Sequence, residues 1–117
     1  NIEDPNLNIQ VAANIIKTLD HILRKRVSDP DERRKFVLAA YNAGIGHILD
    51  AIALAEKYHK NPNVWNNNVQ EALLMKANPQ FYNDSVCRNG YFRGRQTVEY
   101  VSNVSHYYSL YCSKIKK

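Results

Sequence analysis

The stretch "FVLAAYNAGIGHILDA", residues 36–51, constrains the fold more than any other part of the chain. Apolar residues recur at helical spacing on both sides of two glycines. Phe36, Val37 and Ala40 form the apolar side of one helix; Ile48, Leu49, Ile52 and Ala55 form that of the next. Glycine adopts positive φ at no steric cost, so Gly44 is a good C-terminal stop and Gly46 permits a sharp reversal. The last turn before the break carries Tyr41 and Asn42. Packing alone gives no reason for a tyrosine and an asparagine at that place.

Helical signals continue on either side. Asp4-Pro5 is a helix-entry signal, and the spacing predicts a helix over 8–26 with Ile9, Ala12, Ala13, Ile16, Leu19 and Leu23 on one stripe. Arg24, Lys25 and Arg26 close it, where cations complement the helix dipole. Ser28-Asp29-Pro30-Asp31-Glu32 opens the helix that ends at Gly44, with a polar cap, an early proline and acids in the first turn. "HKNPNVWNNN", residues 59–68, reads as a polar loop pinned by Trp65, with a short helix over 69–75 after it. "ANPQFYNDSVCRNGYFRGR" is irregular and rich in turn formers and aromatics. A last helix is predicted over 97–114, with Val98, Val101, Val104 or Ser105, Tyr108 and Cys112 on one side. No strand pattern and no repeat occurs. The expectation is an all-α chain of about five helices with one long irregular connection, the kind of segment that often carries function.

At 117 residues the chain has the length of one domain and can bury a modest core. No apolar run approaches the ~20 residues of a membrane span. The chain opens on "NIEDPNLN", with neither an initiator methionine nor a signal peptide, and reads as a piece of a longer protein. The formal charge is +5. Basic residues gather at 24–26, at 33–35, at Arg93 and Arg95, and in the tail from Lys114 to Lys117. That balance suits a polyanionic partner, nucleic acid or cell-envelope polymer; the plainer alternative is solvated helix faces. Cys87 and Cys112 are too few for a disulfide framework or a zinc site. They can close one bridge in an exported protein or remain two small buried thiols.

The usual catalytic motifs are missing. There is no GxSxG, Walker loop, HExxH or cluster of metal ligands. His21, His47, His59 and His106 are scattered and read as surface or cap residues. Glu3, Glu32, Glu56 and Glu71 sit near the terminus or on polar faces. Glu99 lies between Val98 and Tyr100, beside a core stripe, and is no attractive general acid. Eight tyrosines outnumber three phenylalanines and one tryptophan. A tyrosine offers both a ring face and a hydroxyl, the pairing a sugar needs, although nucleic-acid bases also stack on it.

"FVLAAYNAGIGHILDA" resembles the third motif of lytic transglycosylases of the soluble-lytic-transglycosylase and goose-type-lysozyme group, an Ala-Tyr-Asn-Ala-Gly core at a helix end. "DPNLNIQVAANIIKTLDHIL" is similar to the segment that precedes it in that group. "VWNNNVQEAL", "NPQFYND" and "GYFRGRQTVEYVSNVSHYY" look most like the membrane-bound lytic murein transglycosylase F branch. These matches run in order over nearly the whole chain. The resemblance implies the C-terminal part of a lysozyme-like, all-α domain over residues 1–117. The parent would cleave the β-1,4 bond between N-acetylmuramic acid and N-acetylglucosamine in peptidoglycan, with a 1,6-anhydro product. One glutamate would act as acid and then as base, unlike the two-carboxylate scheme.

That glutamate lies in a Glu-Ser motif, followed by Gly-Leu-Met-Gln, and neither motif occurs in these residues. No catalytic residue is therefore expected within the chain, and alone it should be inactive. By the same resemblance Tyr41 helps position the glutamate, Asn42 braces the site or the sugar, and Tyr100 lines the glycan groove, with Tyr91 and Arg93 as further glycan contacts. The implied partner is the peptidoglycan glycan strand, met by a monomer in the bacterial envelope, periplasmic or outer-membrane associated, without cofactor or metal. Export makes a Cys87–Cys112 bridge the expectation. Two other readings remain open: a non-catalytic glycan-binding module of the same fold, and a basic helical nucleic-acid binder, for which no recognition-helix pattern is present.

Overall fold

The computed structural model describes residues 4–115; Glu3, Lys116 and Lys117 lie outside the described residues. The helices are α1 (Pro5–Arg24), α2 (Pro30–Ala43), α3 (Ile45–Lys57), α4 (Gln70–Met75), α5 (Pro79–Tyr82) and α6 (Arg95–Ile115). An irregular turn, Trp65–Val69, precedes α4, with Asn66 extended and Asn67 at a φ of 63°. The chain is all-α among the described residues. The expected helices are present, and the sixth, α5, is a single turn inside the long connection. Its start is local chemistry: Asn78 accepts from the Gln80 N–H at 3.0 Å, with Pro79 in the first position.

The first two helices start the same way. The Asp4 carboxylate accepts from the Asn6 N–H and the Asp29 carboxylate from the Asp31 N–H, both at 2.9 Å. The α1–α2 turn is closed by Arg33, which donates to Asp20 Oδ1 at 2.7 Å and to the carbonyls of Val27 and Ser28. The hydrogen bonds from Arg33 and Arg24 hold the Asp20 carboxyl below its ordinary range.

α2 is the hub, with α1, α3 and α6 all packed on it. Phe36, Ala39, Ile48, Leu54, Val69 and Leu73 are fully buried around it. Burial of one such large side chain contributes about 1.5–3 kcal/mol. Trp65, 2% exposed, meets Phe36 edge-to-face at 5.6 Å. Its backbone N–H donates to Glu32 Oε1 at 2.9 Å, while Glu32 Oε2 pairs with Lys35 at 3.0 Å. Glu32 thus fastens the 59–68 loop to α2 instead of merely decorating a polar first turn.

Two apolar stripes are only partly used. On α1, Leu19 and Leu23 are buried, but Ile9 is 66% and Ile16 40% exposed, and Ala13 is exposed too. The expected continuous core stripe therefore holds only over the last turns of α1, where α2 reaches it. On α6, Thr97 and Val101 are buried. Tyr108, expected on the core side, is exposed; the Arg34 guanidinium lies over its ring, 4.2 Å from the centroid. The core stripe of α6 thus ends within its first two turns.

The expected Cys87–Cys112 bridge is not formed; both are free thiols. Their surroundings differ. Cys87 lies in the connection near Asp50 and Asp84, and burial pushes its thiol up. Cys112 lines a cleft between α2 and the far end of α6 with Asp31, Arg34 and Tyr108.

Candidate functional site

The helix break at residues 43–45 is tighter than its two glycines suggested. The Gly44 N–H donates to the Ala40 carbonyl at 2.8 Å, ending α2, and Gly44 has φ of 100°. α3 then begins at once with Ile45. Gly44 alone turns the chain, at a φ that a side chain rarely adopts. Gly46 does not reverse the chain. It sits in the first turn of α3, where the Asn89 carboxamide packs so closely that a Cβ would lie 2.6 Å from its Oδ1. That carboxamide donates to the Gly46 carbonyl at 2.9 Å and to Asp50 Oδ1 at 3.1 Å. Gly46 is glycine for close approach, and the long connection is thereby tied down beside the break.

A second tie comes from α6. Thr97, 1% exposed in its first turn, donates from Oγ1 to Asn42 Oδ1 at 2.7 Å. Asn42 therefore links the end of α2 to the start of α6. Tyr41 beside it stands 42% exposed, its ring available to something beyond these helices. Tyr100, one turn past Thr97, is half-buried against the core. Tyr91 is 56% exposed and rests edge-on against Tyr82 at 5.8 Å. Arg93 is exposed and lines a cleft of about 380 Å³ with Arg95, Gln96 and Glu99. Asn42 is thus tied to the first turn of α6, and Arg93 shares a cleft with that same turn.

Glu99 faces solvent with its side chain 65% exposed, 3.7 Å from Arg95. It stands in water beside a cation, not in the dry pocket of a buried acid. Among the described residues, no three His, Cys, Asp or Glu side chains converge as metal ligands would. No helix among them is long and apolar enough to cross a membrane.

The sequence reading missed the polar core behind this region. Asp50 and Lys76, 3% and 0% exposed, pair at 2.6 Å. Asp50 also accepts from the backbone N–H groups of Arg88 and Asn89, at 3.0 and 2.9 Å. Burial alone would raise the Asp50 carboxyl, but the donors from Arg88, Lys76 and Asn89 together bring it below its ordinary value. His47, read from the sequence as a surface or cap residue, is half-buried with Nδ1 2.8 Å from Lys76 Nζ. One signal was visible: Asp50 is the acid inside the otherwise apolar run Ile48 to Ala55. Nothing marked Lys76, which follows an apolar run as surface lysines often do.

Comparison with known proteins decides the family. Residues 1–66 match the family model described as the transglycosylase SLT domain. The chain belongs to that family. It is 39% identical over 107 residues to the membrane-bound lytic murein transglycosylase F of Pseudomonas fluorescens Pf-5, covering 92% of this chain and 21% of that protein. The proteins of the same name from Pseudomonas putida F1 and Saccharophagus degradans are 37% and 35% identical, over 92% and 88% of this chain and 21% and 20% of theirs. The chain spans about a fifth of the length of these relatives. The family match takes in α1, α2, the helix break and α3; similarity to the relatives over 107 residues carries on past it. The observed all-α architecture agrees with the lysozyme-like fold of the SLT domain.

Proposed function

We propose that these residues form the glycan-binding and bracing part of a peptidoglycan lytic transglycosylase domain in the bacterial envelope. The observation that carries the reading is the Asn42–Thr97 hydrogen bond. It locks the Ala-Tyr-Asn-Ala-Gly turn of a transglycosylase-family chain against α6 and leaves Tyr41 open beside it. Tyr41 meets the glutamate or the sugar, Asn42 fixes the turn, and Tyr100, Tyr91 and Arg93 contact the glycan strand. The bond cleaved in that strand is the β-1,4 bond between N-acetylmuramic acid and N-acetylglucosamine. The glutamate that protonates the leaving oxygen, and then acts as base while the muramic acid 6-hydroxyl closes the anhydro ring, belongs to a segment outside these residues. The reading is supported by the family match and by relatives named as murein transglycosylases.

The test is digestion of purified peptidoglycan with this chain alone, analysed by mass spectrometry. No 1,6-anhydro muropeptides are expected, because a general acid is commonly worth ~10² to 10⁴ in rate and none is placed here. Anhydro products at enzyme-like rates would overturn the assignment of the acid and direct attention to Glu99.

A further inference from the structure

The connection between α5 and α6 has no regular structure, yet residues 88–92 are held from below by one buried cluster. Asp50 takes the N–H groups of Arg88 and Asn89 and the Asn89 carboxamide. Lys76 gives its carbonyl to the Phe92 N–H at 3.2 Å. The Phe92 ring stacks on His47 with centroids 4.3 Å apart. His47 meets both the lysine that completes the cluster and the aromatic side chain of the connection.

The contact with Lys76 fixes the state of His47. An ammonium has three donors and no acceptor, so Nδ1 must present its lone pair and the ring proton must sit on Nε2. A protonated ring would set two cations 2.8 Å apart in a half-buried place. The charged and titratable groups facing the ring are Asp50 from its own helix and Lys76 from the end of α4. From the connection, the Cys87 thiol approaches the same Asp50–Lys76 pair, and Phe92 is neutral. Burial and the Lys76 charge hold the imidazole below its ordinary range, with Asp50 opposing.

We propose that His47 is a positioning residue for the glycan site: by accepting from Lys76 and stacking on Phe92, it keeps residues 88–93 in the conformation that presents Tyr91 and Arg93. The inference rests on the reading of Tyr91 and Arg93 as glycan contacts. Protonation of His47 removes the acceptor, repels Lys76 and loosens the connection, while the core around Phe36 and Trp65 keeps its packing.

The test uses the 117-residue chain and a soluble oligosaccharide of alternating N-acetylglucosamine and N-acetylmuramic acid. Glycan affinity and the exchange protection factors of the Arg88, Asn89 and Phe92 amides are measured from pH 8 to pH 5. In the natural sequence both should fall together on acidification, affinity by up to about tenfold per pH unit, the limit for one coupled proton. His47→Gln keeps an acceptor that does not titrate, and should leave both quantities nearly flat. His47→Leu should lower both at pH 7. An affinity indifferent to pH in the natural sequence, or a His47→Gln variant that falls just as steeply, overturns the positioning role while leaving the glycan site standing. A chain that binds no glycan at any pH overturns the functional reading and this inference with it.

Discussion

The Thr97 hydroxyl is buried at the start of α6, and its partner is Asn42 Oδ1 at 2.7 Å. Replacing Thr97 by valine keeps the shape and removes the donor. Asn42 is exposed and can turn to water, so the expected loss is about 0.5–1.5 kcal/mol, read as a drop in the urea midpoint at constant slope. No change in midpoint would mean that the bond does not hold α6 to the break. Acid should act on several residues in one direction. His47 is held below its ordinary value, so the unfolded chain takes up its proton first and stability begins to fall as pH drops below about 6.5. Asp20, Asp50 and Asp84 are also held low, Asp84 first through Lys57 and then Tyr58; their contribution is intact above about pH 4 and lost as pH falls further. Urea midpoints from pH 8 to pH 3 should therefore decline in a shallow step followed by a steeper one, and a midpoint that rises on acidification contradicts the buried network. Asn42 drew notice in the sequence because packing did not need it there. Thr97 and Lys76 did not, since a threonine in a first helical turn and a lysine after an apolar run are ordinary and only the fold shows them buried.

At the scale of elements, α1 separates periodicity from burial. Its apolar residues recur correctly, but the period of a helix says only which side chains share a face, not whether another element covers that face. Leu23 is fully buried, whereas Ile9 stands 66% exposed. Leu23→Ala should cost about 2–5 kcal/mol, while Ile9→Ser should stay within about 0.5 kcal/mol in this chain. Thermal or urea unfolding of the two variants checks the contrast; equal losses would show that the first turns of α1 are covered after all. Boundaries were legible where local chemistry sets them. Asp29 with Pro30 and Gly44 did so for α2, and Asn78 with Pro79 started α5 by the same logic, unnoticed amid the turn formers around it. Gly46 was misread for the opposite reason, because its neighbour Asn89 is far away in sequence and nothing local announces a close approach.

For the whole molecule, α2 joins the core to the proposed site: its middle carries the core, and its last turn carries Tyr41 and Asn42. The all-helical fold and the family could be read from the chain because motifs stand in order along it. The joining of the break, the pinned connection and α6 could not, because it depends on hydrogen bonds spanning 39 to 55 residues of sequence. The measurement that bears most directly on the central claim is a titration of the isotopically labelled chain with an N-acetylglucosamine–N-acetylmuramic acid oligosaccharide, followed by amide chemical shifts. The shifts should move at Tyr41, Asn42, Tyr91, Arg93 and Tyr100 and their neighbours, with the cleft around Tyr108 and Cys112 unaffected. Perturbations confined to that far cleft, or none at saturating glycan, would contradict the account.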